Sequence, residues 1–362
     1  MIYREYGQTG KKVSLLGFGG MRFKNIEDHD ECIKLMITAA KGGINYFDTA
    51  PAYFDIKSET VFGKAFAEMR KQNLPFYCAT KTFESSESGI RNEIEGQLKR
   101  LNVDSIDFYH IWCICNVENW EKRKNDGIIQ TFLKLKEEGL IKHICVSSHM
   151  VKNEIKELLL EGIFEGVLFG YSAYDFQTRQ DAFEAIIEKK LGAVVMNPLG
   201  GGVIPQHPEI FNFLCRQGES VSAAALRFLW DHPQITTTLV GIDTIEHLNE
   251  ALNAMENYKP RTSAELEETK AKASGALAGI CTSCGYCITN NNCPEKIPVP
   301  FFMDTYNQKL LDKKSKDPVE DRLKWHWRID RSIAAKCISC GNCEKACTQH
   351  LDIIKRLKEI SG

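Results

Sequence analysis

The sequence predicts an α/β protein, a run of eight β/α units with a small helical, cysteine-rich segment after it, and three observations predict this. From about residue 13 to residue 255, short apolar, β-branched runs alternate with amphipathic helical stretches. Eight such units over roughly 250 residues suit a closed parallel (β/α)8 barrel, with a doubly wound open sheet as the competing topology. The 14 cysteines are unevenly spread, six before residue 281 and eight in the last 82 residues. That skew marks a boundary, so residues 1–262 are expected to form the barrel and 263–362 a linker helix with a cysteine-rich domain.

The strand candidates come in order as Ser14–Phe18, Ile44–Phe47, Phe76–Ala79, Ile106–Tyr109, His143–Val146, Gly166–Phe169, Ala193–Met196 and Thr237–Val240. Between them the apolar period lengthens to that of helices, as in Gly89–Leu101, Ile128–Gly139 and Ala182–Lys190. Gly139 and Gly192 stand where a left-handed residue would close two of these helices. After Tyr258-Lys259-Pro260 an Ala-, Glu- and Lys-rich stretch, Ser263–Ala278, is the connecting helix.

The chain carries 46 Lys and Arg against 48 Asp and Glu, a net charge of -2. That balance gives no reason to expect nucleic acid or an anionic membrane as partner. The N-terminus lacks the apolar core of a secretory signal, and no run reaches the 18 or so apolar residues of a spanning helix. A cytoplasmic location is the expectation, and there dense cysteines serve as metal ligands or catalytic groups more often than as disulfides.

In a parallel barrel the chemistry lies at the C-terminal ends of the strands. Asp48 follows the second strand, Tyr53 lies in the loop after it, Lys81 ends the third and His110 the fourth. Singly these are a cap, a half-buried aromatic, a surface charge and a core histidine. Together they make an acid catalyst: the Lys81 ammonium lowers the Tyr53 pKa, Asp48 holds Lys81, and His110 orients a carbonyl oxygen against the phenol.

The stretch Gly43–Tyr53, with Ser58-Glu59 and Gly63, resembles the aldo-keto reductases, as do Ala79-Thr80-Lys81 and Asp104–Trp112. The resemblance runs through most of residues 1–256. It implies a (β/α)8 barrel, an Asp48, Tyr53, Lys81, His110 tetrad and a nicotinamide cofactor, NADH or NADPH, reducing a small-molecule carbonyl or oxidising the alcohol. Ser147 and Ser148 fall where the family binds the carboxamide, and Ser148, Leu168 and Met196 depart from its usual residues. Leu199, Gly200 and Gly201 fit a pyrophosphate, since consecutive glycines let N–H groups approach an anion. Gly241, Asp243 and His247 fall at the adenosine phosphate. With no Lys or Arg in that segment, Asp243 favours NADH over NADPH on charge.

Two C-x2-C-x2-C triplets occupy the cysteine-rich segment: Cys281, Cys284 and Cys287 followed by Cys293, then Cys337, Cys340 and Cys343 followed by Cys347. Three cysteines at this spacing wrap a corner of an iron–sulfur cube, and the fourth ligand comes from the other motif. Cys281, Cys284, Cys287 and Cys347 are thus expected on one [4Fe–4S] cluster, and Cys337, Cys340, Cys343 and Cys293 on the other; a single cluster and a zinc site are the alternatives. The segment resembles a bacterial two-cluster ferredoxin, a small helical domain, though residues 288–292 lengthen the first motif and Thr348 replaces the usual proline. The other six cysteines read as small packing residues, with Cys113 and Cys115 near the barrel mouth.

Nicotinamides move two electrons and clusters one, so an intermediary such as a flavin normally joins them. Three readings follow: a nicotinamide-dependent carbonyl reductase whose clusters are structural or serve an electron-transfer protein partner, a flavin-containing reductase, and a non-enzymatic redox sensor. The tetrad argues against the last.

Overall fold

The computed structural model describes residues 1–277, 279–281, 287–288, 293–312, 315–347 and 350–362; Cys284, residues 289–292, Ala278 and Thr348 lie outside them. The chain forms two compact units. One holds Met1–Gly170, Asp181–Pro198 and Leu226–Pro260; the other holds Tyr171–Gln180, Leu199–Ala225 and Arg261–Gly362.

In chain order the elements are β1 (Tyr3–Glu5), β2 (Lys12–Ser14), β3 (Leu16–Gly19), α1 (His29–Lys41), β4 (Tyr46–Asp48), α2 (Lys57–Lys71), β5 (Tyr77–Thr82), α3 (Glu87–Leu101), β6 (Ile106–Ile114), α4 (Val117–Asn125) and α5 (Ile128–Glu137). They continue as β7 (Ile141–Ser148), α6 (Lys152–Leu160), β8 (Gly166–Gly170), α7 (Ala182–Lys189), β9 (Gly192–Met196), α8 (Val203–Gln206), α9 (Pro208–Phe211), α10 (Val221–Trp230), β10 (Thr237–Gly241) and α11 (Ile245–Glu256). The last are α12 (Ser263–Ala276), α13 (Val299–Leu311), α14 (Pro318–Asp321), α15 (Asn342–Lys345) and α16 (Ile353–Ser361).

Strands β3 to β10 form a closed barrel in which β10 pairs in parallel with both β9 and β3, which decides against the open sheet. All eight predicted strands are present. Seven run further at their C-terminal ends than the apolar patterns alone indicate, and the longest of these extensions, in β5, β6 and β7, carry Lys81, His110 and Ser147. Alternate residues Tyr46, Ala79, Phe108, Cys145, Leu168, Val194 and Leu239 fill the interior together with Tyr6 from the β1–β2 hairpin. The Tyr6 ring lies 4.1 Å from that of Phe108.

That packing corrects one expectation. Gly192 is not a left-handed cap: it lies in β9, where any side chain would strike the Tyr6 ring. Lys190 takes the left-handed position that ends α7, at φ 53°. Gly139 behaves as expected, at φ 77°.

The second unit begins its C-terminal part with α12, started by a capping box of Thr262 and Glu265. Helix α13 is its centre: Phe302 and Met303 pack with Leu323, Leu357 and Ile360 and with the cysteines. Buried Asp304 accepts from Arg322 Nε at 2.7 Å and from Trp327 Nε1 at 2.8 Å. No helix among the described residues is long and apolar enough to cross a membrane.

Candidate active site and cysteine pocket

Position parity turns Asp48, Lys81, His110 and Ser147 inward, since they alternate with residues facing the helices and continue the interior rows of Tyr46, Ala79, Phe108 and Cys145. Lys81 Nζ donates to Asp48 Oδ1 at 2.5 Å and to the Thr49 carbonyl at 2.7 Å, and both charged side chains are buried. The same ammonium lies 5.2 Å from the Tyr53 ring centroid. Tyr53 stands in the loop after β4 with its ring edge-on to Trp112, centroids 5.9 Å apart. Phe54, Asp55 and Ile56 follow it at φ 52°, 51° and 62°. Three successive left-handed residues other than glycine each cost about 1–2 kcal/mol, and the turn they form starts α2 immediately after the tyrosine.

Burial opposes the charge on Lys81, but Asp48 and Tyr53 outweigh it and hold the ammonium above the ordinary lysine range. For Tyr53 the balance runs against the sequence expectation. Desolvation raises its pKa more than Lys81 lowers it, so the phenol stays protonated beyond the usual tyrosine range. Burial, and then the Lys81 charge, brings His110 down to about 3, which keeps its imidazole neutral. Its Nε2 lies 3.5 Å from Tyr46 Oη, while His110 Nδ1, Asp48 Oδ2 and Ser147 Oγ are buried with no hydrogen-bond partner.

Behind the site, Gln97 Nε2 donates to the Lys81 carbonyl at 2.8 Å and to Glu59 Oε1 at 3.1 Å. Glu59 also accepts from Thr80 at 2.7 Å and from Arg100 Nε at 2.9 Å. Gln97 joins Ile90, Ile94 and Leu101 on the buried face of α3. A polar residue inside an apolar stripe is the sequence signal for this support.

The residues assigned to a dinucleotide fall in both units. Ser147 reaches the interior, but Ser148 Oγ is engaged with the Ile114 carbonyl at 3.1 Å and the Met150 N–H, and Leu168 is barrel core. In the second unit, Gly200, Gly201 and Gly202 follow Leu199 with φ of 62°, 72° and 98°, so this loop depends on glycine. In the barrel unit, Asp243 pairs with His247 at the start of α11. No Lys or Arg lies in that segment, but the stem of the Arg22 side chain, from outside it, lies over Gly241, where a Cβ would collide with it. Barrel closure puts the loop after β3 beside the loop after β10, which adjacency in sequence hides.

In the second unit, Cys293, Cys337, Cys340 and Cys343 line one pocket with Ile297 and Leu357 among its walls. The Ile297 N–H donates to Cys293 Sγ at 3.4 Å. Burial, and then Glu344 and Cys337, pushes the Cys343 thiol up to about 11. Cys281, Cys287 and Cys347 pack against the same apolar cluster, with the Cys281 backbone clasped by Asn307 at 2.9 and 2.8 Å. Cys284, the fourth ligand expected with them, lies outside the described residues. Among the described residues, no three His, Cys, Asp or Glu side chains are grouped to hold a single metal ion.

The barrel has known counterparts. An uncharacterized oxidoreductase YrpG of Bacillus subtilis is 28% identical over 305 residues, covering 71% of this chain and 91% of the relative. L-galactose dehydrogenase of Arabidopsis thaliana is 26% identical over 287 residues, 70% of this chain and 87% of that protein. The holo form of aldo-keto reductase AKR11C1 from Bacillus halodurans superposes with a TM-score of 0.66 at 26% identity, covering 75% of this chain and 96% of that one. Residues 15–272 match the Aldo/keto reductase family as a whole. With the closed barrel and the strand-end tetrad, the match leaves one assignment: the chain belongs to the aldo/keto reductase family.

Proposed function

We propose that this chain is an NAD(P)H-dependent oxidoreductase that reduces the carbonyl of a small molecule, with Tyr53 as the acid. The observation that carries this is the set of partnerless polar atoms, His110 Nδ1 and Ser147 Oγ, buried on neighbouring strands beside a charged Lys81. Buried polar groups without partners are rare and ask for a bound one. Tyr53 holds a proton that it can donate to the developing alkoxide; Lys81, fixed by Asp48, is the charge that stabilises the phenolate left behind. Neutral His110 orients the carbonyl oxygen. Within the barrel unit, Ser147 would meet the nicotinamide carboxamide, and Arg22, Gly241, Asp243 and His247 the adenosine end. A reduced nicotinamide, when bound, supplies the hydride. The test is a scan of small aldehydes and ketones with NADH and NADPH: consumption of reduced dinucleotide that Tyr53→Phe abolishes supports the reading, and flavin released on denaturation would replace it.

Residues 263–362 are read as a linker helix and an iron–sulfur domain. The four cysteines of its pocket are the set that motif spacing assigns to one [4Fe–4S] cluster, and Cys281, Cys284, Cys287 and Cys347 would hold another. Such clusters supply one-electron transfer, to or from an electron-transfer protein. Anaerobic reconstitution is expected to give about eight irons per chain; about four would leave one cluster, and bound zinc would overturn the assignment.

A further inference from the structure

Cys113 and Cys115 stand apart from the other barrel cysteines. In a regular strand, residues i and i+2 are about 6.6 Å apart and their side chains run side by side, too far for their sulfurs to meet. Here the β6–β7 register slips: Ile111 pairs with Val146 but Ile114 with Ser148, so β6 spends three residues where β7 spends two. Cys113 absorbs the extra residue in the left-handed region, at φ 61°. The bulge brings Cys113 Sγ and Cys115 Sγ to 3.4 Å. Cys113 packs with Trp112 and Ala50, and Tyr53, Phe83 and Cys115 lie against that cluster.

We propose that Cys113 and Cys115 are a thiol–disulfide site that gates the Tyr53 site. The sulfurs need move only about 1.4 Å to reach bonding distance. The oxidant is a low-molecular-weight disulfide. Cys115, the more exposed thiol, attacks it as thiolate and releases one small thiol; Cys113 then attacks the mixed disulfide and releases the second. One external S–S bond is broken, one internal S–S bond forms, and the two protons and two electrons lost by the cysteines leave on the two small thiols. Drawing Cys113 toward Cys115 shifts its neighbour Trp112, which packs edge-on to Tyr53 and is stacked at 3.8 Å on Phe83. A disulfide across so short a loop is strained, hence easily reduced again, as a reversible switch requires.

The test uses full-length protein purified without oxygen and treated with oxidised glutathione. The tryptic peptide Leu101–Lys122 contains these two cysteines and no other. After alkylation it is expected two hydrogens lighter and free of alkyl groups, while turnover falls about a hundredfold, as for an acid displaced by an ångström, and returns with dithiothreitol. Cys115→Ser should keep its turnover under the same treatment. A peptide that keeps both thiols would overturn the site whether or not the carbonyl-reduction reading holds, because the mass is read without an activity assay. Equal inhibition of Cys115→Ser would overturn the gating.

Discussion

Lys81 and His110 are register partners across β5 and β6, so a buried ammonium stands beside a buried imidazole. Burial and that charge set the His110 pKa at about 3. The unfolded chain, with a histidine near 6.5, binds a proton in the interval where the folded one does not. Stability therefore falls as pH falls from about 6.5 toward 3, by roughly 1.4 kcal/mol per pH unit through this one group. Urea unfolding at about pH 6.5 and pH 5 should show His110→Gln losing roughly 2 kcal/mol less than the native chain over that step.

The Tyr53 pKa is raised, so the acid is in its protonated form throughout the neutral range and up to about pH 10. Reduction rates should hold steady from about pH 7 to 9 and fall only above the ordinary tyrosine pKa. Tyr53→Phe is expected to lower turnover about 10²–10⁴-fold with dinucleotide affinity, read by fluorescence titration, nearly unchanged.

Gly63 on α2 faces the backbone of α3, and a Cβ there would run into the Arg100 carbonyl oxygen. A helix backbone cannot yield as a flexible side chain can, so Gly63→Ala should cost about 3 kcal/mol. Urea or thermal unfolding gives the value, and a cost below about 1 kcal/mol would show that α2 slides away freely.

The stem of Arg22 lies over Gly241, and under the proposed function its guanidinium would meet the adenosine phosphate and oppose the Asp243 charge. Arg22→Ala should weaken NADPH about tenfold and NADH less, since a phosphate loses a charge-assisted hydrogen bond. Asp243→Ser should move preference toward NADPH. Equal effects of Arg22→Ala on both dinucleotides, by direct titration, would place the arginine elsewhere in binding.

Much of the barrel could be read in the chain itself because strand and helix periods are local properties. Burial on both faces makes barrel strands apolar throughout, and the polar residues just past the apolar runs, Asp48, Lys81 and His110, mark their C-terminal ends. The features that the chain does not display locally depend on contacts between distant segments. Gln97 was visible as a break in an apolar stripe, but its bond to the Lys81 carbonyl was not. The sign of the Tyr53 shift depends on how much water its hydroxyl loses, a quantity no spacing encodes.

By itself, the sequence determined the eight-unit alternation, the order of the tetrad along the chain and the two cysteine triplets, because each is a matter of residue type and spacing. The tertiary structure decided what depends on closure and on backbone torsion. Pairing of β10 with β3 brought Arg22 to Gly241, three left-handed residues fixed the turn beyond Tyr53, and one bulged residue in β6 brought two sulfurs together. These follow from which distant segments meet and how the chain bends to let them, and neither is contained in a local pattern of residues.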